Sequence, residues 1–225
     1  MHFLDKYKDY MENVTNNDCI PGYKGRYHSF KYVYDKLIEK NNKTEEKISI
    51  IELGTSRSFV NGSYKGCLSP DTIYWEPNCP EKWDWGAGIF TRIMAEGFKD
   101  INYELHTVDT DIEHLHISQY MTNEFENIYY HNTTSENFLS IFPYKCDLIY
   151  IDTGSIDEET AQLQLRESRK IVEKDLIKDR GFILIDDVRH RMNESGGKAK
   201  YSIEFLQKNG YKIVMDEYQV ILQKQ

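Results

Sequence analysis

The stretch Tyr211-Lys212-Ile213-Val214-Met215-Asp216-Glu217-Tyr218-Gln219-Val220-Ile221-Leu222 holds two apolar runs with only Asp216-Glu217-Tyr218 between them. Three residues cannot carry a crossover helix, so the runs must pair antiparallel. The chain ahead of them reads differently. Ile48-Ser49-Ile50-Ile51-Glu52-Leu53, Tyr103-Glu104-Leu105-His106-Thr107-Val108, Ile128-Tyr129-Tyr130, Asp147-Leu148-Ile149-Tyr150-Ile151 and Gly181-Phe182-Ile183-Leu184-Ile185 are short and mostly apolar. Such runs suit parallel strands covered on both faces. Helical patterns at 90–98, 112–125 and 158–176 separate them, which implies right-handed crossovers. The expected fold is α/β: a doubly wound, Rossmann-like sheet finished by an antiparallel hairpin, with a helix over 198–208 leading into it.

Upstream, residues 3–14 are amphipathic, and Pro21, Gly22 and Gly25 form a turn cluster. A second helix is expected over 27–40, where Phe30, Val33, Leu37 and Ile38 make an apolar stripe closed by Asn41-Asn42. The chain thus divides into an N-terminal helical extension (1–45) and one domain (46–225). These helices either cover the active site or join a partner subunit in a homo-oligomer; the sequence leaves both open.

Composition narrows the classes. A chain of 225 residues with 40% hydrophobic content suits one well-cored domain. No apolar run approaches the roughly 20 residues that span a bilayer, and Met1-His2-Phe3-Leu4-Asp5-Lys6 lacks the order of a signal peptide. The expectation is a cytoplasmic protein without membrane contact. A formal charge of −9 argues against a general nucleic-acid partner. Cys19, Cys67, Cys79 and Cys146 form no CxxC pair, so zinc is not expected.

Ligands of doubly wound sheets bind beyond the carboxyl ends of the strands. The first strand runs into Glu52-Leu53-Gly54-Thr55, and a second glycine turn, Gly86-Ala87-Gly88, opens a helix some thirty residues later. The reading adopted is one strand–glycine–helix unit split by an insertion over 59–85, rich in Trp, Tyr and Pro, which serves either as a wall or lid over the pocket or as a minor core of its own. It is not the GxGxxG of a dinucleotide site. Asp109 ends the second strand, where a carboxylate can accept hydrogen bonds from ribose hydroxyls, with Asp111 as fallback. Thr134 and Ser135 follow the third strand, as caps of the next helix or as contacts to an adenine edge.

The fourth strand ends in Asp152 and the fifth in Asp186-Asp187. Three carboxylates at adjacent strand tips repel one another unless a cation joins them. An all-oxygen set of this kind suits Mg²⁺ or another hard divalent ion; alternatively Asp152 lies in the pocket while the other two cap a loop. His190, between Arg189 and Arg191, is a candidate general base because its ordinary pKa is near neutral. The arginines are candidates for an acidic group on the substrate.

Together, Glu52-Leu53-Gly54-Thr55, the strand ends at Asp109, Asp152 and Asp186-Asp187, and the terminal hairpin resemble class I S-adenosylmethionine-dependent methyltransferases over about 48–225. More narrowly, Ile151-Asp152 followed by Gly181 to Asp187 resembles the family of macrolide sugar O-methyltransferases and cephalosporin hydroxylase-like proteins. The resemblance implies Glu52, Gly54, Thr55 and Gly86 near the methionine part of S-adenosylmethionine, Asp109 on its ribose, and Thr134 and Ser135 near its adenine. It implies a divalent metal on Asp152, Asp186 and Asp187. The mechanism expected from these residues is transfer of a methyl group to a hydroxyl of a sugar or other small molecule, with Asp152 and His190 as catalytic residues. Two departures stand out: the glycine motif is interrupted, and Thr153-Gly154-Ser155 replace the histidine usual after the fourth strand. The competing reading is a non-catalytic binding or scaffold protein with the same fold.

Overall fold

The computed structural model describes residues 2–9, 11–12, 19–55, 89–191 and 197–225. Gly86, the insertion at 59–85, Cys67 and Cys79 lie outside the described residues. The elements, in chain order, are α1 (Arg26–Thr44), β1 (Ile48–Leu53), α2 (Phe90–Phe98), β2 (Tyr103–Asp109), α3 (Ile112–Met121), β3 (Ile128–Asn132), α4 (Ser135–Ile141), β4 (Cys146–Ile151), α5 (Glu158–Glu173), β5 (Ile177–Ile185), α6 (Lys200–Lys208), β6 (Tyr211–Asp216) and β7 (Val220–Lys224).

The described residues form a seven-stranded sheet in the order β3-β2-β1-β4-β5-β7-β6. Strands β1 to β5 pair parallel. Strand β7 runs antiparallel to both β5 and β6, as the short Asp216-Glu217-Tyr218 connection requires. Alternation along the strands makes three layers. Ile48, Ile50, Leu105, Leu148, Tyr150, Phe182, Leu184 and Ile221 face the core shared with α1, α2 and α3. Ile51, Leu53, Val108, Ile149, Ile151, Ile183, Ile185, Val220 and Leu222 face α4, α5 and α6. Both faces are covered, which is why the strands read as continuous apolar runs.

Element bounds differ from the sequence expectation for local reasons. Helix α1 runs through Asn41-Asn42 to a left-handed Glu45, whose N–H returns to the Asn41 carbonyl. Interior asparagine costs only some tenths of a kcal/mol, and Glu39 pairs with both Lys36 and Lys43 on this stretch. Helix α3 stops at Met121 because Arg92 donates to its carbonyl at 2.7 Å and the Thr122 hydroxyl donates to the Ser118 carbonyl at 2.6 Å. At the N-terminus a 3₁₀ turn, Phe3–Tyr7, is closed by His2 and Asp5 in place of the start of an α-helix. Its Leu4 and Tyr7 enter the same core as α1.

The sheet places the site. From β1 the chain winds outward through β2 to β3, then returns to the other side of β1 at β4. The direction reverses between β1 and β4, and a crevice opens beyond their carboxyl ends. Beneath it, Phe90 stacks on Tyr150 with ring centroids 4.3 Å apart and meets Phe30 edge-on at 5.6 Å. Phe90→Ala is expected to cost about 3–5 kcal/mol, read as a lowered urea midpoint with unchanged slope; a loss under about 1 kcal/mol would show that this aromatic stack does not anchor the core.

Candidate active site

On one side of the crevice, β1 ends at Gly54, whose φ is +87°. A Cβ there would lie 2.5 Å from the Asp152 carbonyl oxygen, so only glycine lets the ends of β1 and β4 approach this closely. The Thr55 N–H donates to Asp109 Oδ2 at 3.1 Å, and the Thr55 hydroxyl meets that of Thr107 at 2.7 Å. Asp109 Oδ1 accepts from the Asp111 N–H at 2.8 Å, and His114 Nδ1 lies 3.3 Å from Oδ2. Burial works to raise the Asp109 pKa, but His114 and the two amides hold it below the ordinary carboxylate range. Its side chain is 14% exposed, and a carboxylate has about four acceptor directions, so it retains capacity for a ligand hydroxyl. Glu52, fully buried, lies under this corner and accepts from the hydroxyls of Thr91 and Thr107.

On the other side stand the three aspartates, which the fold does bring together: one oxygen from each of Asp152, Asp186 and Asp187 lies within 4.8 Å of the others. The cations that join them are protein side chains. Arg26, the first residue of α1, forks onto Asp186 with Nε–Oδ1 at 3.1 Å and Nη2–Oδ2 at 2.6 Å, and reaches Asp187 Oδ1 at 3.1 Å. Lys198, 1% exposed, lies 2.8 Å from Asp152 Oδ1 and 3.0 Å from Asp187 Oδ2. Tyr218 donates to Asp187 Oδ1 at 2.6 Å, Gln219 Nε2 to Asp186 Oδ1 at 2.8 Å, and Tyr150 to Asp152 Oδ2 at 3.3 Å. Every oxygen of the three carboxylates therefore has a protein donor. A divalent ion does not fit this arrangement: its ligand atoms are engaged, and an ammonium bridges two of the three groups.

The electrostatics follow from the packing. Burial raises the Asp152 pKa, and the carboxylates of Asp186 and Asp187 add to this against the pull of Lys198. Asp187 is also buried, yet Lys198 and Arg26 outweigh the cost and lower its pKa. Burial alone would discharge Lys198; Asp152, Asp187 and Asp186 hold it firmly protonated instead. Three negative and two positive formal charges leave about one negative charge, and the side chains of Asp152 and Asp187, 16% and 17% exposed, lie outside the fully buried Asp186.

The third strand contributes less directly. Thr134 caps α4 by accepting from the Asn137 N–H at 3.2 Å, so the cap is realised by Thr134 rather than Ser135. Ser135 is buried and donates to Glu167 Oε1 at 2.5 Å, while Thr153 donates to Oε2 at 3.0 Å. Glu167, fully buried on α5, thus ties the loop after β3 to the loop after β4. Asp111 proves to be the N-cap of α3, which leaves Asp109 as the carboxylate facing outward from β2. His190 sits on the turn after β5; its backbone bridges Cys19 and its ring lies 6.3 Å from that of Tyr218. Arg189 forks onto Asp216 and Arg191 Nε donates to the Cys19 carbonyl, so both arginines lace the termini together.

Sequence reasoning missed Arg26, Lys198, Gln219 and Glu167. Arg26 had one faint mark: it opens a helix whose first turn carries no acid, the end where the dipole disfavours a cation. Glu167 had no sequence mark: with Gln164, Ser168 and Ile171 it forms a stripe that the fold buries at helical spacing, but three of the four residues are polar. Lys198 follows Gly196-Gly197 with no local signal.

No family model matches the chain, and no curated protein matches it. Solved structures are similar in fold. TrmN from Thermus thermophilus superposes with a TM-score of 0.50 at 10% identity, over 90% of this chain and 54% of that one. An rRNA methylase from Streptococcus thermophilus gives 0.48 at 11% identity over 86% and 95% of the two chains. Magnesium protoporphyrin IX methyltransferase from Synechocystis PCC 6803, solved with bound SAM, gives 0.47 at 10% identity over 88% and 79%. Identities this low speak to fold alone. With the reversed seventh strand between β5 and β6, the chain has the class I methyltransferase fold.

Two measurements test the site's energetics. Arg26→Met leaves Asp186 buried without its partner and is expected to cost about 3–5 kcal/mol in urea unfolding; a near-neutral result would mean the fork contributes nothing. Burial, resisted by the hydroxyls of Ser135 and Thr153, raises the Glu167 pKa from 4.5 to about 7. The folded chain then holds a proton that the unfolded chain releases, so stability is lost as pH rises through that window. Glu167→Gln removes the loss: its melting temperature should gain on the wild type between pH 5 and pH 8, up to about 3 kcal/mol in stability. Parallel curves for the two proteins would refute the assignment.

Proposed function

We propose that the chain is an S-adenosylmethionine-dependent methyltransferase acting on a hydroxyl of a small molecule, a sugar by its resemblance to the macrolide O-methyltransferases. The observation that carries the reading is Asp109 at the tip of β2, partly exposed and hydrogen-bonded to the Thr55 amide beside the crevice at the β1–β4 reversal. A carboxylate there suits a ribose diol, and Gly54 keeps the adjoining backbone free of a side chain. Thr134 and Ser135, at the start of α4, border the side assigned to adenine. Glu52 acts from below, fixing Thr91 and Thr107 under the methionine side. Gly86 belongs to the same proposal and lies outside the described residues.

When bound, S-adenosylmethionine supplies a methyl group activated on a sulfonium. The protein's task is then to hold the acceptor oxygen in line and to receive its proton. Asp152 is suited to this: it ends β4 at the crevice, its side chain is partly exposed, and its raised pKa brings its basicity closer to neutral pH. Lys198 fixes Oδ1 of that carboxylate, and Tyr150 approaches Oδ2 from the aromatic floor. His190, beside the Tyr218 ring on the turn after β5, is the weaker candidate for the same proton.

Calorimetric titration of S-adenosylmethionine and S-adenosylhomocysteine on wild type and Asp109→Ala tests the reading. Micromolar binding is expected, weakened about 10–100-fold by the substitution, the scale of lost hydrogen bonds to a charged group. Absence of binding for both compounds would overturn the proposal in favour of a non-catalytic relative of the fold.

A further inference from the structure

The geometry points to Lys198 as a built-in replacement for a divalent cation: its ammonium, with the Arg26 guanidinium, neutralises the Asp152–Asp186–Asp187 cluster and makes the acceptor side of this site metal-independent. The inference uses the site of the proposed methyltransferase but does not depend on methyl transfer. Two observations carry it independently.

The first is position. A metal bound by these three residues must sit where their oxygens converge. Lys198 Nζ already lies between two of them, 2.8 Å from Asp152 Oδ1 and 3.0 Å from Asp187 Oδ2, on a side chain only 1% exposed. The second is engagement. The remaining oxygens accept from Arg26, Tyr218, Gln219 and Tyr150, themselves buried or nearly so. Hard cations need oxygen ligands whose lone pairs point at the ion; here each of the six carboxylate oxygens already accepts from at least one N–H or O–H donor. Bringing in a double charge would require the ammonium to leave a buried position held by two carboxylates.

A lysine also changes what the cluster can do. Mg²⁺ would bind the acceptor oxygen directly and lower its pKa. An ammonium engaged with two aspartates cannot accept a proton and keeps Asp152 Oδ1 fixed, so Oδ2 is the oxygen left to meet the acceptor. Lys198 is in this sense a positioning residue, acting through Asp152.

Binding of Mn²⁺, followed by loss of the free-ion EPR signal, tests this without cofactor or substrate. Wild-type protein should leave the spectrum of millimolar Mn²⁺ unchanged. Lys198→Ala should bind Mn²⁺ at least about a hundredfold more tightly than wild type, because one positive charge is removed at hydrogen-bonding distance from the ligand oxygens. Lys198→Gln, which retains a donor, serves if the alanine variant does not fold, and Lys198→Arg, which retains the charge, should behave as wild type. Wild-type binding that Asp187→Asn abolishes would overturn the proposal, as would a folded, neutral variant that gains no Mn²⁺ affinity. A failed S-adenosylmethionine titration would leave either result intact, so the two readings fail separately.

Discussion

The buried charge balance at the ends of β4 and β5 is the constraint on which much of this structure turns. Asp186 is fully buried and Asp187 and Asp152 are only partly exposed, and an isolated carboxylate at the Asp186 position would be prohibitively costly. The partners come from distant parts of the chain: Arg26 from the start of α1, Lys198 from the segment before α6, Tyr218 and Gln219 from the hairpin turn. The strand tips can therefore be completed only when the N-terminal helix and the C-terminal hairpin have both docked. Such a network gains little net stability over an apolar packing of the same volume, while breaking it is expensive. Its effect is to fix the arrangement of its parts.

That explains why the N-terminal segment is seated where it is. The loop before α1 laces across the top of β5 and β7: Ile20 N–H donates to Arg189 O, Tyr218 N–H to Lys24 O, and Lys24 N–H to Glu217. Ser29, one turn into α1, donates to Gln219, which in turn holds Asp186. Below this polar layer the same helix sends Phe30, Val33 and Leu37 into the core beside Phe90 and Tyr150. Tyr150 joins the two levels, since its ring stacks in the core and its hydroxyl reaches Asp152. One helix thus supplies a charged lid residue and a large part of the apolar floor.

How much of this was legible follows from the range of each signal. The strands and the reversed hairpin are local patterns: an apolar run such as Ile48-Ser49-Ile50-Ile51 states its own burial, and Asp216-Glu217-Tyr218 is too short for anything but a turn. Asp152 and Asp186-Asp187 stood out because acids end buried runs, and that argument also correctly demanded a cation. The identity of the cation was not legible, because Arg26 and Asp186 are 160 positions apart and no pattern around Lys198 marks it. An all-acid set read along the chain looks like a metal site; read in space it also holds Arg26 and Lys198. The adenine-side residues show the same limit on a smaller scale. Thr134 and Ser135 are neighbours in sequence, yet one faces outward as a cap and the other inward to Glu167, a division decided by α5.

Asp187 shows how the cluster and the crevice constrain each other. Its φ is +55°, a left-handed conformation that aspartate tolerates better than most residues but that still stores strain. The turn it makes sends Asp186 inward to Arg26 and Gln219 while Asp187 itself meets Lys198 and Tyr218. Without that twist, two consecutive side chains leaving a strand would point to opposite faces of the sheet, and one acid would have no cation. With it, both meet the protein's own donors, as Asp152 does at the end of β4. The left-handed turn at Asp187 is therefore the geometric condition for pairing both acids, and Gly54, pressed against the Asp152 carbonyl from the other side, fixes where the tip of β4 stands.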